Sequence, residues 1–279
     1  MSVESLCEIL LELDQRNFAH VLSAVALACL TSRTPDAHPS DSRCWWGEHG
    51  FSLSTAMDEA TLFDAADKFV REIRWIPGMG KKEHGSLVMG NELGSNPFIS
   101  LADNGERTSP FKMFAANQEP AKDLLDKQQK KLRSPDATES WLTQIAYDVS
   151  SWGFDSRVGS HAYDQGFSSN EEGSGDQDPI YPAVELLSIA AASFFVAIQG
   201  WQMDENTVGY AIWSEPVSVL LMPYAVAGRI AGLPSQRYWV AKRGASYGSG
   251  ASFKFFPEAV PQDNRRRKVY ERRTANRGR

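Results

Sequence analysis

Three segments of the chain carry the hydrophobic pattern of helices. Residues 17–30, NFAHVLSAVALACL, are apolar on nearly all faces, which predicts a buried helix entered at Asp14 or Asn17. Residues 57–73 place apolar side chains three and four positions apart and acidic ones in the first turn, which predicts an amphipathic helix. Residues 181–198, YPAVELLSIAAASFFVAI, predict the main core helix, with a proline in its first turn.

Two further segments have weaker helical patterns. Residues 110–132 predict a helical region that breaks at Pro120, and the half after the break, AKDLLDKQQKKL, is rich in lysine. Residues 137–150, ATESWLTQIAYDVS, predict another helix directly before a glycine- and serine-rich loop. The acidic stretch SSNEEGSGDQDP that follows the loop is typical of a mobile segment.

Short alternating runs between these helices predict antiparallel strands. The run CWWGEHGFSLS reads as a hairpin that turns between Gly47 and Gly50, and two or three short strands precede Leu101. Later strands are predicted at TVGYAIW, RYWVAKR and ASFKFFP. Helices and hairpins mix without a strict strand–helix–strand rhythm. We therefore expect an α+β fold, a single mixed domain over residues 1–263.

Charge separates the last residues from this domain. Residues 264–279 hold eight basic residues and one acid, whereas the preceding 263 residues hold 21 basic and 34 acidic ones. A body near −13 that ends in a segment of +7 predicts a disordered basic tail that meets an acidic partner, or one that folds back on the body. The tail residues that we expect to bind nucleic acid are Arg265, Arg266, Arg267, Lys268, Arg272 and Arg273.

Several classes of protein are disfavoured by composition and motifs. The three cysteines lack metal-type spacing and indicate a reducing compartment. The longest apolar run, Ala183 to Ile198, has 16 residues and contains Glu185, which is short for a membrane span. No P-loop and no dinucleotide-binding glycine motif is present in the sequence. We expect a cytoplasmic protein with no membrane contact, no metal site and no cofactor.

The segment FDSRVGSHAYDQGFS holds the residue types of an active site. His161 could act as a general base if Asp155 or Asp164 oriented its ring, and this arrangement would suit a metal-dependent nuclease. Beyond Ser160, no obvious nucleophile lies nearby, and metal-binding carboxylates do not cluster by spacing.

The same segment also suits a loop that binds a phosphate backbone. Arg157 can donate two parallel hydrogen bonds to a phosphate, with His161 as a second contact, while the aspartates hold the loop through its own amides. A purely structural, turn-rich loop is the third interpretation. We favour binding over catalysis and predict no catalytic residue.

A second candidate contact begins at Lys242 in KRGASYGSGASFKF. Its glycines let backbone N–H groups approach phosphates, Lys242, Arg243 and Lys254 supply charge, and Tyr247 can stack on a base. A glycine-rich hairpin turn without any ligand has the same pattern. The aromatic run RCWWGEHGF is more typical of core packing.

Several stretches in order resemble the CRISPR-associated proteins of type I-G (formerly I-U) loci, a family described as a small counterpart of the large Cascade subunit. They lie between about residues 13 and 256 and are LDQRNFAHVLSAVALACL, SPFKMFAANQ, FDSRVGSHAYDQGFS with YPAVELLS, GYAIWSEPV and KRGASYGSG. The mobile acidic stretch and the arginine-rich tail depart from the family pattern.

The resemblance implies a non-catalytic subunit of an RNA-guided antiviral effector complex. Its partners would be other effector subunits, guide RNA and target DNA, and a separate helicase–nuclease would cut the DNA. Two alternatives are the nuclease built on His161 with Asp155 and Asp164, and a protein-only scaffold whose tail binds an acidic surface.

Overall fold

The computed structural model describes eleven parts of the chain. These are residues 6–32, 41–76, 86–89, 99–100, 121–135, 140–147, 149, 151–159, 179–197, 207–241 and 258–261. Among them, helices and antiparallel sheets share a hydrophobic core that draws on residues from Ile9 to Ala259. The predicted α+β fold is confirmed. The predicted tail, residues 264–279, lies outside the described residues.

A four-stranded antiparallel sheet contains the predicted hairpin. Its strands lie in the order β1-β3-β2-β8, and their bounds are Cys7–Leu11 (β1), Arg43–Gly47 (β2), Gly50–Thr55 (β3) and Val217–Ser218 (β8). The turn needs glycine at position 50, where φ is +141° and an added Cβ would lie 2.1 Å from the carbonyl oxygen of Leu11. Strand β1 falls in an acidic segment for which no strand was predicted.

Two three-stranded antiparallel sheets complete the described strands. The first has the order β4-β5-β6, with bounds Ile73–Ile76 (β4), Ser86–Met89 (β5) and Ile99–Ser100 (β6). The second has the order β10-β9-β7, with bounds Thr207–Trp213 (β7), Ser235–Ala241 (β9) and Val260–Pro261 (β10). The buried indole of Trp213 donates to the carbonyl oxygen of Cys44 at 3.0 Å, which ties β7 to the four-stranded sheet.

Two apolar helices pack against each other in the core. Helix α1 spans Phe18–Thr31 and helix α4 spans Pro182–Ala197, as their patterns predicted. The hydroxyl of Ser23 donates to the carbonyl oxygen of Val184 at 3.2 Å, and that of Ser188 donates to Ala19 at 3.0 Å. Small side chains at these positions let the helices approach closely, so both can be apolar on all faces.

The described residues form three more α-helices. Helix α2 spans Glu59–Arg71 with Asp58 as its N-cap, helix α3 spans Ala121–Lys131 directly after Pro120, and the short helix α5 spans Met222–Val226. Gln129 joins α3 to the end of α2, because its amide donates to the carbonyl oxygens of Val70 and Ile73 at 2.8 and 2.9 Å. Within the described ranges, no helix is both long and apolar enough to cross a membrane.

The helix predicted over residues 137–150 is wrong. In the described part of this segment, helical turns are confined to the 3-10 turn Trp141–Thr143. Ala146 then exchanges two backbone hydrogen bonds, of 2.9 and 3.0 Å, with Ile180. Side chains alternate between buried and exposed from Leu142 to Tyr147, the period of an extended chain. A distant partner for the backbone therefore overrides the local helical spacing.

Candidate functional site

A buried cluster of polar side chains lies where residues 151–157 meet helices α1 and α4. Asp155 and Glu185 are both fully buried, and Asn17 and His20 of the α1 region are nearly so. Charged groups are rarely buried without partners, because removal from water disfavours the ionised form. The partners of these groups show what the cluster does.

Glu185 binds the loop from the first turn of α4. Its two carboxylate oxygens accept hydrogen bonds from the backbone N–H of Trp152 at 2.8 Å, the N–H of Asp155 at 3.0 Å and the hydroxyl of Ser151 at 2.9 Å. Burial and the charge of Asp155 raise the pKa of Glu185 to about 7, while these hydrogen bonds act in the opposite direction. Glu185 therefore fixes residues 151–155 against the core helix.

Asp155 is the centre of the cluster. Its carboxylate accepts a hydrogen bond from the side-chain amide of Asn17 at 2.7 Å and from the backbone N–H of Arg157 at 3.0 Å. Nε and Nη2 of Arg157 bind the same carboxylate at 3.0 and 2.5 Å. Burial raises the pKa of Asp155, but the hydrogen bonds and charge of Arg157 outweigh it and hold that pKa below its usual value. Asp155 is ionised and paired.

Arg157 covers the outer side of Asp155. Its side chain is 31% exposed, and its Cζ lies 3.3 Å from the centroid of the Tyr181 ring. The two donors that were expected to bind a phosphate in parallel are aimed at Asp155 instead. The expectation that Asp155 holds its own loop is confirmed by the bond to the Arg157 amide. Contact between Arg157 and nucleic acid stays a prediction.

His20 faces the cluster from α1. Its Nδ1 accepts a hydrogen bond from the backbone N–H of Asp14 at 2.8 Å, so the neutral ring carries its proton on Nε2. That buried Nε2 has no hydrogen-bond partner among the described residues. Burial lowers the pKa of His20 to about 4; Asp155 and Asp14 oppose this effect and Arg157 adds to it. His20 is therefore neutral near pH 7.

Only part of the predicted site falls within the described residues. The structure brings Asp155 and Arg157 together, and Lys242 and Arg243 come directly after the end of β9. Lys242 and Arg243 themselves lie outside the described ranges, and so do the other predicted residues. They are His161, Asp164, Tyr247, Lys254, Arg265, Arg266, Arg267, Lys268, Arg272 and Arg273.

Three members of the cluster were missed as site residues. Asn17 was expected to begin α1, and it does so by accepting from the N–H of Ala19, but its amide also reaches Asp155. Glu185 gave a signal, because a single acid in an apolar run needs buried partners. His20 gave none, since nothing local separates it from an ordinary core residue. Across the described ranges, no three His, Cys, Asp or Glu side chains gather to hold a metal ion.

The cluster works as an internal clamp. Two carboxylates, one guanidinium and several N–H donors join residues 151–157 to α1 and α4, and the guanidinium of Arg157 neutralises the carboxylate of Asp155 within the cluster. In comparisons with known proteins, no family model, curated protein or solved structure matches this chain. The resemblance to the type I-G family stays a prediction.

Proposed function

We propose that this chain is a non-catalytic subunit of a cytoplasmic type I CRISPR effector complex that contacts guide RNA, target DNA or both. The proposal rests first on the ordered set of resembling stretches, which spans most of the chain. The charge distribution supports it, because a +7 terminal segment on a body near −13 suits a polyanionic partner. Other effector subunits and a separate helicase–nuclease complete the proposed assembly.

The observation that favours binding over cutting is the set of partners that Asp155 has. A nuclease on this loop would use Asp155 or Asp164 to orient His161 or to bind a metal ion. The side chain of Asp155 is instead fully buried, and its oxygens accept hydrogen bonds from Asn17 and from the backbone and guanidinium of Arg157. A buried carboxylate whose charge is already neutralised by an arginine attracts a histidine ring or a metal ion less strongly.

The proposal is tested by incubating the full chain with labelled single-stranded RNA and duplex DNA, with and without magnesium or manganese. We expect retarded complexes without cleavage, and co-purification with the products of neighbouring genes. Metal-dependent cleavage by the purified chain, abolished in His161→Ala, would establish the nuclease instead. Co-purification without any binding of nucleic acid would establish the scaffold.

The glycine-rich segment after β9 provides a second test of the same proposal. Replacing Lys242 and Arg243 with alanine should weaken RNA binding or incorporation into the complex while the circular dichroism spectrum stays native. Replacing the exposed residues Lys130 and Lys131 at the end of α3 removes the same charge elsewhere and serves as the control. Unchanged affinity and assembly in the first variant would reduce the segment to a hairpin.

A further inference from the structure

The outer face of the sheet β10-β9-β7 presents an arginine and a tryptophan side by side. Tyr238 and Val240 of β9 are buried, so the alternate residues Arg237 and Trp239 lie on the opposite face, and both are half-buried. In the antiparallel register, Trp239 lies opposite Gly209 of β7, and Arg237 lies opposite Ala211. The neighbouring strand therefore offers only small residues at these two positions.

The indole of Trp239 lies directly on Gly209. A Cβ added to this glycine would come within 2.8 Å of Cζ3 and 3.1 Å of Cε3 and Cη2, all atoms of the six-membered ring. The shortest of these distances is too short for a real Cβ, so the ring occupies the space that the Cβ of any other residue would fill. Gly209 thus lets the indole lie against the surface of the sheet. Trp239 is half-buried, so part of its indole stays accessible.

A shallow pocket adjoins this ring. Its lining includes Arg237, Trp239 and the small residues Gly209, Ala211 and Ala227, and its volume is about 10 Å³. That volume holds a single water-sized group, so a ligand would leave its bulk outside and insert one polar atom. Among the described residues, the guanidinium of Arg237 has a long contact of 3.4 Å to the carbonyl oxygen of Gly228, and this contact occupies only one of its five donors.

The charge around this face suits a phosphate backbone. In the sequence, two more cations, Lys242 and Arg243, directly follow the end of strand β9. Glu258, the acid just before β10, is paired with Arg16 at 2.5 Å and so is neutralised. An accessible indole beside a guanidinium is the combination with which proteins bind unpaired bases and their phosphates.

We propose that Arg237 and Trp239 form a binding site for single-stranded RNA. One base stacks on the indole of Trp239, and a phosphate oxygen enters the pocket beside Arg237. This inference rests on the proposed function and deepens it, since it places the RNA on one face of one sheet. It involves neither the cluster around Asp155 nor the basic tail.

The test measures binding of the full chain to fluorescently labelled polyuridine RNA by anisotropy. Trp239→Leu should raise Kd roughly 5- to 100-fold, because it removes a stacking surface. Arg237→Gln should weaken binding and lower the slope of log K against log salt by roughly 0.7, the value for one phosphate on a single strand. Gly209→Ala should also weaken binding, because its Cβ displaces an indole that is still present.

Matched controls separate this site from a general loss of fold or charge. Trp45→Leu changes another half-buried tryptophan on a different sheet, and Arg229→Gln changes an exposed arginine in the turn after α5. Both should bind as the wild type does. Should Trp239→Leu fail to fold, Trp239→Phe replaces it and quenching of tryptophan fluorescence is measured. Polyuridine should then quench the fluorescence of the wild type more strongly than that of Trp239→Phe.

Four outcomes would overturn the site. Wild-type affinity in Arg237→Gln and unchanged quenching in Trp239→Phe would remove it while leaving the proposed function intact. Loss of complex assembly with unchanged RNA affinity would make the face a protein interface, and stronger binding to polythymidine would make the ligand DNA. A wild type that binds no RNA, alone or in the assembled complex, would refute both the site and RNA contact in the proposed function.

Discussion

At the scale of single residues, Arg157 has a different role from the one that its chemistry suggested. An exposed arginine among serines and glycines is typical of phosphate binding. Arg157 instead neutralises a fully buried carboxylate and stacks on Tyr181. Its importance for folding and its importance for binding can therefore be separated by experiment.

Arg157→Ala should lower the free energy of unfolding by about 1–3 kcal/mol, because Asp155 loses its charged partner in a buried site. The partial exposure of Arg157 keeps the loss below that of a fully buried pair. Urea unfolding of Arg157→Ala, Asp155→Asn and the double variant measures the coupling. A double variant whose loss equals the sum of the single losses would show that the pair contributes nothing.

The pKa of Glu185 predicts a pH dependence. Its folded pKa of about 7 lies above the value of 4.5 for an unperturbed glutamate, so the folded state keeps a proton that the unfolded chain releases. The contribution of Glu185 to stability should therefore fall by up to about 3 kcal/mol as pH rises from 4.5 to 7. Above that range the contribution should stay constant.

His20 opposes this trend, so the effect must be isolated with a variant. Because burial lowers its folded pKa to about 4, His20 adds stability as pH rises towards 6.5. The stability of the wild type relative to Glu185→Gln, measured by urea unfolding across this range, should decline with rising pH. A difference that instead grows would mean that the N–H donors of the loop hold Glu185 ionised in the folded state.

At the scale of elements, local pattern and observed structure agree best where an element makes its own hydrogen bonds. The helices α1, α2 and α4 begin and end within a few residues of their predicted bounds. The hairpin of β2 and β3 also turns where its glycines indicated. Helices and tight hairpins pair residues close in sequence, so their periodicity is readable directly.

The two glycines of this hairpin make a matched pair for mutation. Gly50→Ala should lower the free energy of unfolding by more than about 2 kcal/mol, because it places a Cβ against Leu11 at a positive φ. Gly47→Ala should change it by less than about 0.5 kcal/mol, since the nearest atom to its Cβ would be 3.9 Å away. Thermal or urea unfolding compares them. Equal effects would show that the hairpin turn is not strained.

At the scale of the whole molecule, the uneven distribution of charge supports the proposal that the chain binds nucleic acid. Eight cations in residues 264–279 follow a strongly acidic body. Such a segment supplies electrostatic affinity that does not depend on sequence and weakens with salt. The proposed contact at Arg237 and Trp239 would instead combine stacking with a single phosphate contact, so it should depend less on salt than the tail does.

Deleting residues 264–279 should weaken binding to all RNA sequences and flatten the plot of log K against log salt, by roughly 0.7 for each phosphate released. Titrations at several salt concentrations measure this slope, and the melting temperature should hardly change. An unchanged slope would remove the tail from the interface. A large fall in the melting temperature would show that the tail packs on the acidic body.

The amino-acid sequence by itself determined the elements whose pattern is local: the buried helices, the amphipathic helix α2, the hairpin and the α+β class. Tertiary structure decided the rest. The chain after Thr143 is extended because Ala146 pairs with Ile180, and β1 is a strand because it pairs with β3. The polar cluster joins Asn17 to Asp155, 138 positions apart. Such partners meet only when the core forms. A buried polar group needs a hydrogen bond, and the tertiary structure decides which distant group provides it.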